Sequence, residues 1–484
     1  MQRLIIGLLV AAALIAILLS LAGDGLFIYF SSDDMMNLYW GWSIPWDRLL
    51  SANAVPFTTV YRPLGSLFYR LQFSAAGFDP FPFRLAVYLL LLFNCYLTCR
   101  LGRALSGSEE IGVLSAVFVV FHSRLLQIYS DNAFVYDVLC FTFYLLTFLH
   151  YARIRSKGAP IAGWNLAVLY VLFVAALNAK EIALTLPGVL LAYECIYHPP
   201  AARSGAEIRR WLRRSALLPV GMLLISIGAY LGKTAPGSSI HDSGQYVPNL
   251  TAEQLVLSSR GYLSELLLLQ DYEIAAGEAL SILLLSALLA LLSRSRLQLF
   301  CLAWMILAAV PVLFLYRGFS SMYIPLAGFA LYLATALMRG RDFLWRKLFP
   351  LREPSGRARM ALQAGLFVLV ASTFVWWNLT DMRKRNSIRD VAQEHEQVRL
   401  LKDELLQMHP EWPEGRTALF LHTRHGESYT ALFVVRLLYE DPSIDIGIVG
   451  ANIPDLSYTR GRSYDYIFDY IEGRLVDVGS IPAE

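Results

Sequence analysis

Charge is what this chain has least of. Only 16% of its 484 residues are Asp, Glu, Lys or Arg, against roughly 25% in soluble globular proteins, and 56% are hydrophobic. So little charge excludes an ordinary water-soluble domain and implies a membrane protein. The net charge of +3 is small, and the 41 Lys and Arg gather in short clusters between apolar runs. That pattern speaks for membrane orientation and against nucleic-acid binding. Cysteine is also scarce: Cys95, Cys99, Cys140, Cys195 and Cys301 all fall within or at the ends of apolar runs. They read as small packing residues, not as a disulfide framework. The eight histidines form no metal set, and His422 and His425 in "HTRH" read as a solvated polar turn. Neither a tandem repeat nor a low-complexity tract is present.

What the chain has in quantity is apolar length. A helix needs about 20 apolar residues to cross a hydrocarbon core of about 30 Å, because its backbone polar groups must be satisfied within the segment. Apolar length and basic flanks predict spans near 4 to 22, 83 to 101, 111 to 129, 134 to 152, 160 to 178, 182 to 198, 215 to 232, 275 to 293, 297 to 315, 319 to 338 and 361 to 378, about eleven in all. The first has a basic start and an apolar core longer than the 7 to 15 residues of a signal-peptide h-region, so it reads as a retained span.

With the N-terminus inside, every basic cluster falls in a cytoplasmic loop. These are Arg100 and Arg103; Arg153, Arg155 and Lys157; Arg203, Arg209, Arg210, Arg213 and Arg214; Arg294 and Arg296; and the run from Arg339 to Arg359. That is the asymmetry the positive-inside rule requires. The opposite side receives loops 23 to 82 and 233 to 274 and the C-terminal segment. The fold class expected is an α-helical polytopic membrane protein over 1–380, with outer amphipathic helices and a small C-terminal α/β extracytoplasmic domain over 381–484.

Within the first outer loop, "YRPLGSLFYRLQFSAAGFDPFPFR" spaces aromatics and leucines at three and four residues, as an interfacial amphipathic helix would. After 380, "DMRKRNSIRDVAQEHEQVRLLKDELLQMH" reads as a helix of mixed charge. "TALFLHT", "SIDIGIVG" and "YDYIFDYIEGRLVDVG" read as short strands.

Five polar groups stand on the outer side. Asp33 and Asp34 in "SSDDMMNLYW" sit against an apolar wall, where desolvation and a like charge raise a carboxyl pKa toward that of a general base. On spacing alone, that reading and a solvated end of the first span weigh equally. Arg62 in "YRPLG" offers a permanently charged fork suited to phosphate, and Pro63 marks it as a helix entrance. It reads equally as an interfacial arginine. Lys180 and Glu181 in "NAKEIALTLP" lie between two spans, where ionisable residues are costly and face a cavity or partner, unless the turn is simply solvated. Arg317 lies at a membrane boundary beside Tyr316 and Tyr323. Asp131, Asn132 and Asp137 in "YSDNAFVYD" fall at the outer ends of two spans. Outer acids and cations from distant loops are the mixture needed to deprotonate a hydroxyl while neutralising a lipid-linked phosphate.

The order and sidedness of "SSDDMMNLYW", "YRPLGSLFYRL", "GFDPFPFRLAVYLLLLFN", "YSDNAFVYDVLCF", "NAKEIALTLPGVLLAYE" and "YRGFSSMYIPLAGFALYL" resemble the C-type glycosyltransferase superfamily. The chain looks most like relatives of the protein O-mannosyltransferases and of the lipid A aminoarabinose transferase. The resemblance covers residues 1 to 380 and rests on no single strong motif. It implies a polyprenyl-phosphate sugar donor and transfer on the outer face of the membrane, in a bacterial inner membrane, with inversion at the anomeric carbon. It maps the catalytic base onto Asp33 or Asp34, with Asp33 preferred, and the donor-phosphate cations onto Arg62, Lys180 and Arg317. Asp131, Asp137, Glu181 and Tyr323 become supporting positions. A second acid comes from the Asp pair or from Asp79 in "GFDP", which also reads as a turn. The expected partners are the lipid-linked donor, membrane lipid and an acceptor hydroxyl on protein, lipid or glycan. Nucleotide and flavin are not required, and a divalent cation is left open because relatives differ. The rival reading is a transporter or flippase of an envelope lipid or glycan; a noncatalytic partner in envelope assembly is a third. Against transport, the charges cluster in outer loops and no inverted repeat is visible.

Overall fold

Apolar length translates into helix along nearly all of the chain before residue 384. The computed structural model describes residues 23–159, 161–200, 204–236, 248–269, 272–315, 319–348, 356–384, 387–422, 429–449 and 463–481. The described helices are α1 (Ser32–Ser43), α2 (Trp46–Ala54), α3 (Pro63–Ala76), α4 (Pro80–Ser106), α5 (Glu109–Val120), α6 (Leu126–Ser130), α7 (Val135–Ser156), α8 (Gly163–Ala179) and α9 (Leu186–Tyr197). They continue with α10 (Gly205–Trp211), α11 (Leu217–Lys233), α12 (Ala252–Leu266), α13 (Ala276–Leu292), α14 (Arg296–Leu313), α15 (Tyr323–Leu348), α16 (Gly356–Lys384), α17 (Ser387–Met408) and α18 (Thr430–Leu438).

The chain is mostly helical, but not as eleven straight spans. Among the described residues, five segments are long and apolar enough to cross a membrane: Pro80–Ser106, Asn132–Ser156, Gly205–Lys233, Arg296–Leu313 and Ala361–Met382. The apolar helices α8 and α13 are shorter, at 17 residues each. The expected span at 182 to 198 opens as a 3-10 turn, Glu181–Thr185, and leaves α9 only 12 residues. The expected span at 111 to 129 is bent by 51° after α5. Polar partners hold that bend, the usual cause of a sharp break. The Ser123 backbone N–H donates to Asn378 Oδ1 at 2.8 Å, and Ser123 Oγ donates to Asp381 Oδ2 at 2.5 Å. The expected first span, 4 to 22, lies outside the described residues.

Close helix approach depends on small residues, as it does in membrane bundles. A Cβ on Gly102 of α4 would stand 2.6 Å from the Cα of Gly112 on α5. At one end of the bundle Arg294, Arg296 and Arg339 line a single cleft with Leu105 and Ser106. Asp33, Asp34, Arg62, Asp131, Asp137, Lys180 and Glu181 lie elsewhere, on the segments 31–62, 131–137 and 180–181.

After α17 the chain forms β1 (Ala418–Phe420), β2 (Ile446–Ile448), β3 (Tyr464–Ile471) and β4 (Arg474–Ile481) in the order β2-β1-β3-β4. β1 pairs parallel with β2 and β3, in register Leu419 to Gly447 and Leu419 to Ile467, and β3 and β4 form an antiparallel hairpin. Val398, Leu401 and Leu405 make a buried stripe on α17 at helical spacing. This α/β unit packs against the segment 23–54. Thr430 Oγ1 donates to Ser32 Oγ at 2.7 Å, the Phe433 ring lies 5.2 Å from that of Tyr39, and a His395 ring nitrogen meets the Tyr29 carbonyl at 2.9 Å.

Asn378 is fully buried and bonded to Ser123. Asp79 caps α4 by accepting from the Phe81 N–H at 3.0 Å, the helix-initiating turn that "GFDP" suggests.

Candidate functional site

Ser31 begins α1 with a capping box. Its hydroxyl accepts from the Asp34 N–H at 3.0 Å, and the Asp34 carboxylate accepts from the Ser31 N–H at 3.1 Å. This local chemistry sends the two adjacent aspartates in different directions. Asp34 turns inward, 0% exposed, with Oδ2 on the cap and Oδ1 accepting from the Tyr69 hydroxyl of α3 at 2.7 Å. Burial first and Asp131 second raise its carboxyl to about 7, against the pull of Arg84 and its hydrogen bonds.

Asp33 turns outward and is exposed. Even so, desolvation by the surrounding protein is the largest influence on it, and with Asp131 it raises the carboxyl above its ordinary value against the Tyr429 hydrogen bond and Arg62. Asp131 lies near it: its Oδ1 accepts from Ser31 Oγ at 3.1 Å and from the Ala133 N–H at 2.9 Å.

Arg62 enters the same site from the turn before α3. Pro63 occupies the first helical position as expected, and Arg62 adopts left-handed backbone geometry, φ 43° and ψ 59°. An L-residue there costs roughly 1–2 kcal/mol. Its Nε and Nη2 donate to Glu181 Oε2 at 3.1 and 2.9 Å, and the guanidinium lies 4.4 Å from the Tyr61 ring centroid and 5.2 Å from that of Tyr136. Lys233 Nζ approaches the other oxygen of Glu181 at 3.5 Å. Burial alone would raise the Glu181 carboxyl, but Arg62 and Lys233 hold it at about 2.

Lys180 binds Asp137 through both carboxylate oxygens, at 2.6 and 2.7 Å. The cations Arg62, Lys180 and Lys233 therefore gather around the two carboxylates Glu181 and Asp137. Tyr136 links this cluster to α1 by donating to Asn37 Oδ1 at 2.9 Å.

Of the residues expected from sequence, Asp33 lies within electrostatic reach of Asp131 and Arg62, and Asp34 within reach of Asp131; Arg62 meets Glu181, and Lys180 meets Asp137. Tyr323 is buried with its ring 4.1 Å from that of Phe141, within electrostatic reach of Asp137. Arg317 and Tyr316 lie outside the described residues. His422 pairs with Asp469 at 2.7 Å, an exposed contact in the C-terminal unit, and His425 is not among the described residues. No group of three or more His, Cys, Asp and Glu among the described residues is arranged to hold a metal ion.

Sequence reasoning missed four residues. Arg84 is buried and donates to the Tyr29 carbonyl at 2.9 Å; a lone arginine early in the apolar run of α4 was the available signal. Lys233, a cation at the C-terminal end of a candidate span and away from the basic clusters, was equally visible. Tyr69 and Tyr429 carried no signal, since an aromatic in an outer segment is routine.

No protein-family model matches the chain, and no curated protein matches it. The chain is similar to two solved structures of ArnT from Cupriavidus metallidurans. One is a crystal structure in the apo state, 14% identical, covering 97% of this chain and 93% of that one with a TM-score of 0.49. The other is bound to undecaprenyl phosphate, 14% identical, covering 96% of this chain and 93% of that one with a TM-score of 0.46.

Proposed function

We propose that this chain is an inverting glycosyltransferase that moves a sugar from a polyprenyl-phosphate donor to an acceptor hydroxyl at the outer face of a bacterial inner membrane. The observation that carries the reading is Asp33, an accessible carboxylate whose affinity for a proton is raised and which lies within electrostatic reach of Arg62. A general base works best with a pKa lifted toward the working pH. Asp34 has both oxygens engaged inside the fold and is assigned to holding α1 in place.

In this reading Asp33 takes the acceptor proton as the oxygen attacks the anomeric carbon, and the polyprenyl phosphate leaves on the opposite face. The Arg62, Lys180 and Lys233 cations stabilise that phosphate, and Arg317 is a further candidate. Each preorganised donor of this kind contributes about 3–4 kcal/mol in enzymes where it has been removed. Positioning and charge suffice for this chemistry, without nucleotide or flavin.

The test is release or transfer of sugar from a panel of labelled polyprenyl-phosphate sugars by the purified protein, beside Asp33→Asn. Turnover by the wild type, lost in the variant with donor binding retained, is the expected outcome. Donor binding without sugar release in either protein would instead favour transport of the lipid.

A further inference from the structure

Asp33 Oδ1 accepts a hydrogen bond from the Tyr429 hydroxyl at 2.5 Å, across 396 positions of sequence. Tyr429 immediately precedes α18, and the helix is anchored beside it on α1 by the Thr430–Ser32 bond, by Phe433 against Tyr39 and Trp40, and by Arg436 on the Tyr39 hydroxyl. The phenol therefore arrives on a docked element, with its ring 5.8 Å from that of Phe433.

An acceptor hydroxyl that gives its proton to Asp33 must first bind as an O–H donor to the same carboxylate. The Tyr429 hydroxyl makes that kind of bond at Asp33 Oδ1. Asp34 offers no alternative, since its oxygens serve Ser31 and Tyr69.

We propose that Tyr429 holds the acceptor's place on Asp33, so that the C-terminal α/β unit decides when, and for which hydroxyl, the base becomes available. The inference rests on the glycosyltransferase reading and adds a positioning residue to it. While the phenol is seated, Oδ1 of Asp33 is taken by a hydroxyl that cannot attack the donor, and water competing for that oxygen is displaced. An acceptor that displaces the phenol inherits its hydrogen bond and completes the site.

The test is Tyr429→Phe, which keeps the ring and its packing and removes only the hydroxyl. Three readouts are expected to move together. Without acceptor, sugar release to water from the labelled polyprenyl-phosphate donor rises about tenfold. The acceptor KM falls while kcat holds. The acid limb of the rate shifts to higher pH, because a hydrogen bond that favoured the carboxylate is gone. The charged and titratable groups acting on Asp33 are Asp131 ahead of α7, Arg62 ahead of α3 and Tyr429 itself; none but Tyr429 is altered.

A further measurement does not depend on turnover. Coupling of an amine to Asp33 by a water-soluble carbodiimide, mapped by peptide mass spectrometry, should increase several-fold in Tyr429→Phe. Unchanged coupling would overturn the contact itself. Increased coupling with unchanged hydrolysis and KM would overturn its role toward the acceptor. A wild type that turns over no donor, with coupling increased in the variant, would sink the glycosyltransferase reading, and the acceptor role with it, while leaving the contact standing.

Discussion

Arg62 and Glu181 lie 119 positions apart and meet through two nitrogens, Nε at 3.1 Å and Nη2 at 2.9 Å from one carboxylate oxygen. The pair joins the turn before α3 to the turn before α9, and Lys233 at the end of α11 closes on the same carboxylate. Three segments that carry no sequence relation to one another are thus tied by a single acid.

Removing that acid should cost more than one hydrogen bond. Glu181→Gln removes the carboxylate that Arg62 and Lys233 share, and breaking a buried pair costs about 3–5 kcal/mol. Glu181 is partly open, with 22% of its side chain exposed, so a value nearer the low end is expected. Thermal unfolding in detergent should show a fall of several degrees, and Arg62→Met with Glu181→Gln together should recover part of it.

The two aspartates should separate by kind of defect. Asp33→Asn removes the proposed base and should lower transfer by roughly 10²–10⁴-fold with little change in unfolding. Asp34→Asn places an amide NH2 against one of two donors, the Ser31 N–H or the Tyr69 O–H. It should cost about 1–3 kcal/mol of stability. Equal stability of the two variants would contradict the division of labour.

Asp34 also predicts a pH dependence. Its folded carboxyl is raised from 3.8 to about 7, so the folded state holds a proton that the unfolded chain releases. Stability from this group is fully present below the unfolded pKa and is lost as pH rises from about 4 through about 7. The wild type should therefore gain stability on going from pH 8 to pH 5 in denaturant titrations, and Asp34→Asn should flatten that slope.

Tyr136 depends on a missing side chain. A Cβ on Gly65 would lie 1.9 Å from the Tyr136 ring, so Gly65→Ala must push the ring away from Asn37 and from the Arg62 guanidinium. Overpacking of this sort costs about 1–3 kcal/mol. Donor affinity should weaken as Arg62 loses its aromatic support, which equilibrium binding of labelled donor would measure.

Much of the fold was written locally. Apolar runs placed α4, α7, α11, α14 and α16, because a helix is the economical way to satisfy a backbone away from water. Pro63 behind Arg62 marked the start of α3, and the alternating runs after 416 marked β1 to β4. Local composition could not reveal the 51° bend after α5, since the polar groups that hold it, Asn378 and Asp381, come from α16.

The site divides along the same line. By itself the sequence determined that acids and cations would gather on the segments between apolar runs, because charge is expelled from those runs. Only the tertiary structure decided which acid is available. Asp33 and Asp34 are chemically identical neighbours, and helix geometry turns one toward Tyr69 and the other toward solvent and Tyr429. Their partners lie 35 and 396 positions away. Contacts of that range depend on how helices and the C-terminal unit pack, and packing has no signature in any short stretch of chain.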